Sequence, residues 1–456
     1  MSQLPSGGTP RDSFGSKFGV IAATAGSAVG LGNIWRFPYI AGENGGGAFL
    51  LIYLGFILLI GLPVMISELT IGRATQRNPF GAFRMLKPKT KWFYIGIMGI
   101  AAAFMINAFY SVVAGWTLEY LVKAVSNQFS GQSPDQITTL FSDFQNSSWR
   151  PLLWTVVFIA MSGSVVLSGI EKGIEKYTKI LMPVLLVLII ILDIRAITLP
   201  NASEGLKFLF QPDFSKIKTS TVLEALGQAF FSLSIGMGTL ITYGSYINKK
   251  ENLGSTAAAV AISDTLIAIL AGVAIFPAVF AFGISPESGP DLVFLTLPNI
   301  FAQMKGGYLF ALMFFFLLTV AALTSTISIL EVVVAYFTEE LNLSRRRATF
   351  LASAGIAVLG LLSSLSLNKV PEIAIAGTSL FGVLDFVSSN ILLPLGGFLI
   401  VVFVAWFFGN KQLKNEISAG GMYKVRYYSV YLFIIRYLAP LAIAMVFMNS
   451  IGLINL

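Results

Sequence analysis

Six ionisable side chains stand inside otherwise apolar stretches of this sequence: Arg36, Glu68, Glu119, Asp264, Glu331 and Asp385. A charge surrounded by hydrocarbon costs several kcal/mol unless it pairs or faces water, so each is a candidate for binding, gating or structural pairing. Neutral oxygen donors accompany them at Asn33, Ser232, Thr324 and Ser325. One carboxylate with several neutral oxygens suits a hard cation such as sodium, above all where broken helices add backbone carbonyls. A single hydroxyl in a helix usually bonds back to its own backbone. The cluster Thr324-Ser325-Thr326, within one turn, favours the ligand reading. Cys and His are both absent, which removes thiol nucleophiles, disulfides and thiolate or imidazole metal sites. No nucleophile paired with a base is visible either, so neither an enzyme nor a cofactor is expected.

The elements that must position these residues are membrane helices. The 456 residues are 55% hydrophobic and 11% charged, and long apolar runs recur from end to end. Eleven runs reach the length of about 20 residues that a spanning helix needs. They lie at 18–40, 49–71, 94–122, 151–169, 180–199, 222–247, 257–282, 307–337, 348–366, 382–408 and 431–454. Period-two alternation is missing, so the spans are helices rather than barrel strands.

Lys and Arg outnumber Asp and Glu by 30 to 22, and the excess follows topology. With the N-terminus cytoplasmic, twenty of the thirty basic residues fall in inside segments, eight outside, and Arg36 and Arg436 within spans. This asymmetry predicts a cytoplasmic N-terminus for a chain in contact with lipid, and eleven spans then place the C-terminus outside. Basic residues spread over loops give no footprint for nucleic acid. The polar first residues read as a cytoplasmic tail, and the segments 124–150, 200–221 and 283–306 as outer loops, the last two folding over a vestibule.

Two spans carry helix breakers at mid-membrane: Gly26-Ser27-Ala28-Val29-Gly30-Leu31-Gly32-Asn33 in the first and Ser232-Leu233-Ser234-Ile235-Gly236-Met237-Gly238 in the sixth. Glycines also serve close helix packing. A matched pair five spans apart instead predicts two five-helix repeats of opposite topology, with half-helix ends turned to a shared midplane site. The expected division is a tail at 1–17, a first repeat at 18–199, a second at 222–408, and a cytoplasmic loop with the eleventh helix at 409–456.

The run GSAVGLGNIWRFP at 26–38, then ENGGGAF at 43–49, GQAFFSLSIGMG at 227–238, ALTSTISI at 322–329 and GIEKYTKILMP at 173–183 resemble the neurotransmitter:sodium symporter family over nearly the whole chain. The resemblance implies a bacterial amino-acid symporter with an all-α 5+5 inverted-repeat fold, discontinuous helices 1 and 6, and an added eleventh helix. It implies two sodium sites. The first takes carbonyls of Ala28 and Ser232, side chains of Asn33, Ser232 and Asp264, and the substrate carboxylate. The second takes carbonyls of Gly26, Val29 and Ala321 and hydroxyls of Thr324 and Ser325.

The substrate carboxylate would meet the amides of Leu31 and Gly32 and the hydroxyl of Tyr110. Its ammonium would meet carbonyls of Ala28, Phe231 and Ser232 and the Ser234 hydroxyl. Ile106, Phe231, Met237, Ser325 and Ile329 would line the side-chain pocket, which implies a hydrophobic or aromatic amino acid. Amine-transporting members place aspartate where this chain has Gly30. Chloride-dependent members place asparagine at Asp264 and serine at Ala268, so chloride-independent transport is expected. Arg36 with Asp385 would form an outer gate, and Arg11 with Glu339 an inner one near Tyr246. Partly hydrated pairs are worth only about 0 to 1 kcal/mol, which suits gates that open every cycle. Glu68 is expected to satisfy unwound amides of span six, Glu331 to be solvated in the inner pathway, Glu119 to lie near an outer helix end, and 173–183 to unwind when water reaches the second sodium site. An ion channel and a non-transporting amino-acid sensor are the alternative readings. The residues leave open which amino acid is carried, the ion stoichiometry, proton counter-transport and the oligomeric state.

Overall fold

The computed structural model describes residues 12–286, 292–368, 374–375 and 377–454. Among them, nine helices are long and apolar enough to cross a membrane, and the pair Lys17–Ala28 and Gly32–Glu43, bent by 48° at its break, makes a tenth. The sixth span is Thr219–Ser232 followed by Thr239–Gly244, whose inner half is too short to count as a continuous crossing. The continuous spans are Gly47–Thr75 (two), Phe93–Val125 (three), Arg150–Leu167 (four), Ile170–Ile197 (five), Leu253–Ala281 (seven), Gly307–Glu340 (eight), Arg345–Leu367 (nine), Leu380–Phe407 (ten) and Tyr428–Ser450 (eleven). The architecture is the all-α inverted-repeat fold with discontinuous helices 1 and 6.

Six stretches inside these spans are wound as π-helix: Gly32–Arg36, Ile57–Gly61, Ile170–Glu175, Val387–Leu392, Phe403–Phe407 and Ile434–Leu438. Four of them end two residues before a proline: Pro38, Pro63, Pro394 and Pro440. Proline has no N–H to donate, and its ring crowds the carbonyl four residues back, so a widened turn just ahead of it accommodates the ring without breaking the span.

Spans three and eight form the buried centre, packing against each other, and the N-terminal half of span one, Lys17–Ala28, lies against spans five, seven and eight. Spans five and nine are the least buried of the continuous spans. The loops expected outside hold short helices, Pro134–Asn146, Ala202–Phe210 and Thr296–Gln303. The first is started by a reciprocal capping box between Ser133 and Gln136, which satisfies two amides that a helix start leaves open. Glu119 is buried, in contact with Arg150, 3.5 Å from Lys123 Nζ and accepting from Trp154 Nε1 at 2.6 Å. It is thus a structural tie between spans three and four, in the last two turns of span three.

Candidate functional site

Both breaks fall where glycine and small polar residues predicted them. In span one the helix ends at Ala28 and resumes at Gly32. In span six Ser234, Gly236 and Gly238 have φ of 56°, 85° and 77°, a left-handed region that glycine enters at no steric cost. At Gly236 a side chain would also meet the backbone of Leu393 at 3.1 Å or less. The amides and carbonyls freed by unwinding need partners in a dry interior. Glu68 Oε1 accepts from the Gly236 amide at 2.8 Å, as expected. Ser234 Oγ donates to the Ser27 carbonyl at 3.0 Å, and Gln228 Nε2 to the Gly32 carbonyl at 2.9 Å. Each bond ties one broken span to the other.

The residues expected at the first sodium site converge. Asp264, fully buried, accepts from Ser232 Oγ at 2.9 and 2.8 Å and from Asn33 Nδ2 at 2.8 Å, with the Tyr53 hydroxyl at 3.4 Å. Asn33 Oδ1 accepts from the Gly30 amide at 3.0 Å. A cation here would compete with the Asn33 and Ser232 hydrogens for the carboxylate, and the Asn33 amide would turn its oxygen toward the ion. Ala28 ends its helix, so its carbonyl is one of the four that helix geometry leaves without an intrahelical partner.

The second set also converges. Thr324 Oγ1 lies 3.4 Å from the Val29 carbonyl and 3.0 Å from the Ala321 carbonyl, and Ser325 Oγ donates to Val29 O at 3.2 Å. Gly26 packs on Thr324, Thr178 and Met182, each 3.4 Å from where a β-carbon would stand. Four oxygens from spans one and eight thus share one small region, with Gly26 packed against Thr324.

Between the two clusters lies a cavity of about 20 Å³ lined by Ser27, Ala28, Gly30, Gly32, Ile106, Tyr110, Phe231, Ser234, Met237, Ser325 and Ile329. The sequence-predicted pocket residues Ile106, Tyr110, Phe231, Ser234, Met237, Ser325 and Ile329 are all in it. Leu31 is buried at its edge, donating its amide to the Tyr110 hydroxyl at 2.8 Å, the pair expected to hold a carboxylate. This volume takes about one water-sized sphere, so seating an amino acid requires the walls to part.

Phe231 also lines a second cavity of about 410 Å³ together with Arg36, Tyr39, Glu43, Glu224 and residues of spans ten and eleven. Phe231 is the one lining residue the two cavities share. The expected outer pair is not an ion pair here. Among the described residues no salt bridge joins Arg36 to Asp385. The Arg36 guanidinium lies 4.4 Å from the Phe231 ring centroid, and Asp385 accepts from Ser389 Oγ at 2.9 Å. A cation over an aromatic face is a competent alternative to a partly hydrated ion pair.

On the inner side Arg11 lies outside the described residues, and Glu339 accepts from the Asn78 amide and side chain, both at 2.9 Å. Tyr246 instead donates to Glu331 at 2.7 Å, and Arg345 pairs with Glu331 at 2.6 Å. Glu331 is fully buried, which corrects its expected solvated position. The partner, Arg345, went unrecognised because it sits in a run of three arginines whose members look alike in sequence. Phe14 adds a cap, its ring 5.7 Å from Tyr243 and 6.0 Å from Tyr246. Glu175 clamps the start of span one, accepting from the Gly15 amide at 2.7 Å and Ser16 Oγ at 2.9 Å.

The sodium:neurotransmitter symporter family matches residues 11–139 and 135–455, nearly the entire sequence. The chain belongs to this family. The uncharacterized sodium-dependent transporter YhdH of Bacillus subtilis is 39% identical over 440 residues, covering 96% of this chain and 98% of the relative. The sodium-dependent transporter MJ1319 of Methanocaldococcus jannaschii is 34% identical, covering 90% and 84%. The crystal structure of MhsT in complex with L-phenylalanine matches with a TM-score of 0.89 at 44% identity, over 96% of this chain and 100% of that one. The protein is thus a multi-pass member of a sodium-coupled transporter family and not an enzyme.

For this symporter the Glu331 network gives a direct test of inner closure. Removing one member of a buried pair typically costs about 3 to 5 kcal/mol because the other charge is stranded. Arg345 is relieved of that penalty if the inner side opens to water. In Glu331→Ala, a cysteine placed at Ala22, buried on the inner half of span one, is expected to react at least about tenfold faster with a membrane-impermeant thiol reagent, roughly 1.4 kcal/mol of the penalty. No native cysteine competes. An unchanged rate would show that the network does not hold the inner side shut.

Proposed function

We propose that this chain is a sodium-coupled symporter that imports an amino acid with a hydrophobic or aromatic side chain, by alternating access and without chloride. The observation that carries the reading is the cavity between the broken spans. Its body is apolar at Ile106, Phe231, Met237 and Ile329, while the Leu31–Tyr110 pair and the Asn33, Ser232 and Asp264 cluster stand beside it. A substrate carboxylate placed between them would serve as a ligand of the first sodium ion, so that ion and cargo bind as one unit. The phenylalanine complex of MhsT supports an aromatic cargo. Met237, with three rotatable bonds, lets the pocket adapt to more than one shape.

Ala28, Asn33, Ser232 and Asp264 would hold the first sodium, and Gly26, Val29, Ala321, Thr324 and Ser325 the second. Arg36 and Asp385 would close the outer path around Phe231, and Arg11 and Glu339 the inner path beside Glu331 and Arg345. Sodium favours the outward-facing state to the extent that it binds that state better, and hydration of the second site through 173–183 would release it. The repeats 18–199 and 222–408 would supply the moving parts in a bacterial inner membrane, with the N-terminus inside, as the distribution of basic residues supports.

Purified protein in liposomes is expected to accumulate phenylalanine under an inward sodium gradient, and at the same rate when gluconate replaces chloride. Counterflow of labelled amino acid separates a carrier from a channel or a sensor, neither of which exchanges internal for external cargo. A steep chloride requirement at fixed sodium would remove the chloride-independent part alone.

A further inference from the structure

The lipid-facing side carries a groove that none of the transport machinery uses. A cavity of about 940 Å³ lies along the contact between spans four and nine. Its walls are mostly apolar, and depth comes from small residues such as Gly163, against which Ser353 Oγ approaches to 3.1 Å of a β-carbon position. Phe350, 72% exposed, flanks it. Arg346 and Arg347 line the end where span nine begins. Neither forms a salt bridge among the described residues, whereas their neighbour Arg345 is committed to Glu331. The hydroxyls of Thr349 and Ser353, also in the lining, lack hydrogen-bond partners among the described residues. Thr349 itself is 1% exposed.

An apolar trough running along the hydrocarbon, closed at one end by two guanidiniums that form no salt bridge among the described residues, has the polarity of a phospholipid. We propose that this groove is a binding site for an anionic phospholipid, with acyl chains against spans four and nine and the phosphate held by Arg346 and Arg347. Guanidinium forks match phosphate oxygens bidentately. Basic pockets at the cytoplasmic ends of spans select anionic headgroups on the same electrostatic ground. A second copy of the chain is the competing occupant. A two-fold axis along the membrane normal brings equal depths together, and so would set arginine against arginine. The site depends on the proposed orientation only for the leaflet it faces, not for its chemistry.

The test uses the full chain in detergent, with phosphatidylglycerol or phosphatidylcholine added and retained lipid counted by native mass spectrometry. Each basic residue near an anionic headgroup contributes roughly a factor of five. The Arg346→Gln, Arg347→Gln double variant is therefore expected to bind phosphatidylglycerol about 25-fold more weakly, with a smaller loss for phosphatidylcholine, whose phosphate is already offset by its own ammonium. Gly163→Leu, which fills the trough and keeps both charges, is expected to weaken both lipids. Unchanged melting temperature and monodispersity in sodium-free detergent keep either variant interpretable. Phosphatidylglycerol retention equal to the parent in both variants would overturn the proposal. So would a lipid-independent dimer dissolved by Gly163→Leu, which would assign this face to a second copy.

Discussion

Asp264→Asn is expected to stop sodium-driven uptake in chloride-free medium. The carboxylate is fully buried, and its bonded neighbours are the Asn33 amide, the Ser232 hydroxyl and the Tyr53 hydroxyl, all neutral. It is therefore the charge in this cluster that can offset a cation. Two unit charges about 4 Å apart attract by about 4 kcal/mol at an effective dielectric constant of about 20, which corresponds to nearly a thousandfold in affinity. Asparagine also brings an N–H group toward the Asn33 and Ser232 hydrogens, where an acceptor is needed. Apparent sodium affinity, read from thermal shift or from the sodium dependence of uptake, should fall by at least about 100-fold. Ala268, fully buried on the same helix, offers an anion no donor. Adding Ala268→Ser to the first substitution, which recreates the pattern of chloride-dependent relatives, is expected to restore uptake only when chloride is present. Chloride-free uptake at the parent's rate in the single variant would refute the role given to Asp264.

The sequence revealed more of the ligands than of the locks. Gly30, Gly32, Gly236 and Gly238 betray the two breaks because a glycine-rich run cannot hold a lipid-exposed helix. The breaks make Asn33, Ser232, Asp264, Thr324 and Ser325 eligible oxygen donors, and the family resemblance is what groups them into two sets. The inner lock was not legible. Glu331 and Arg345 lie in different spans, and nothing local distinguishes Arg345 from Arg346 or Arg347, although one is committed to a buried carboxylate and two line a groove. Arg36 was legible as a gate residue but not its partner, since an aromatic face and a carboxylate both attract a guanidinium and the winner depends on sub-ångström placement. The π-turns ahead of Pro38, Pro63, Pro394 and Pro440 were missed for another reason. One extra residue in a turn leaves a uniformly apolar run looking the same, so the signal was the proline and not the hydrophobic pattern.

Gly30→Asp is expected to abolish amino-acid binding and transport while leaving the protein folded. Gly30 has no left-handed backbone to protect, so the constraint is space and charge. A β-carbon there would stand 2.7 Å from the Tyr110 hydroxyl, 3.2 Å from Ser325 Cβ and closer still to the Ser325 hydroxyl. Gly30→Ala isolates the steric part. Overpacking costs about 1 to 3 kcal/mol, so roughly a 5- to 150-fold loss of affinity is expected if the strain falls on the bound state. Aspartate adds a carboxylate at the mouth of the Leu31–Tyr110 pair, where the substrate's own carboxylate is proposed to bind. Like charges in so dry a pocket cannot both stay ionised. The cargo must then lack a carboxylate, and an aromatic amine becomes the better ligand. The comparison is thermal stabilisation of Gly30→Asp, with sodium present, by phenylalanine and by phenethylamine. Phenylalanine should stabilise the parent and not the variant, and phenethylamine should show the reverse order. If the variant keeps its response to phenylalanine, the carboxylate is held elsewhere and the orientation of the cargo in the cavity must be reversed.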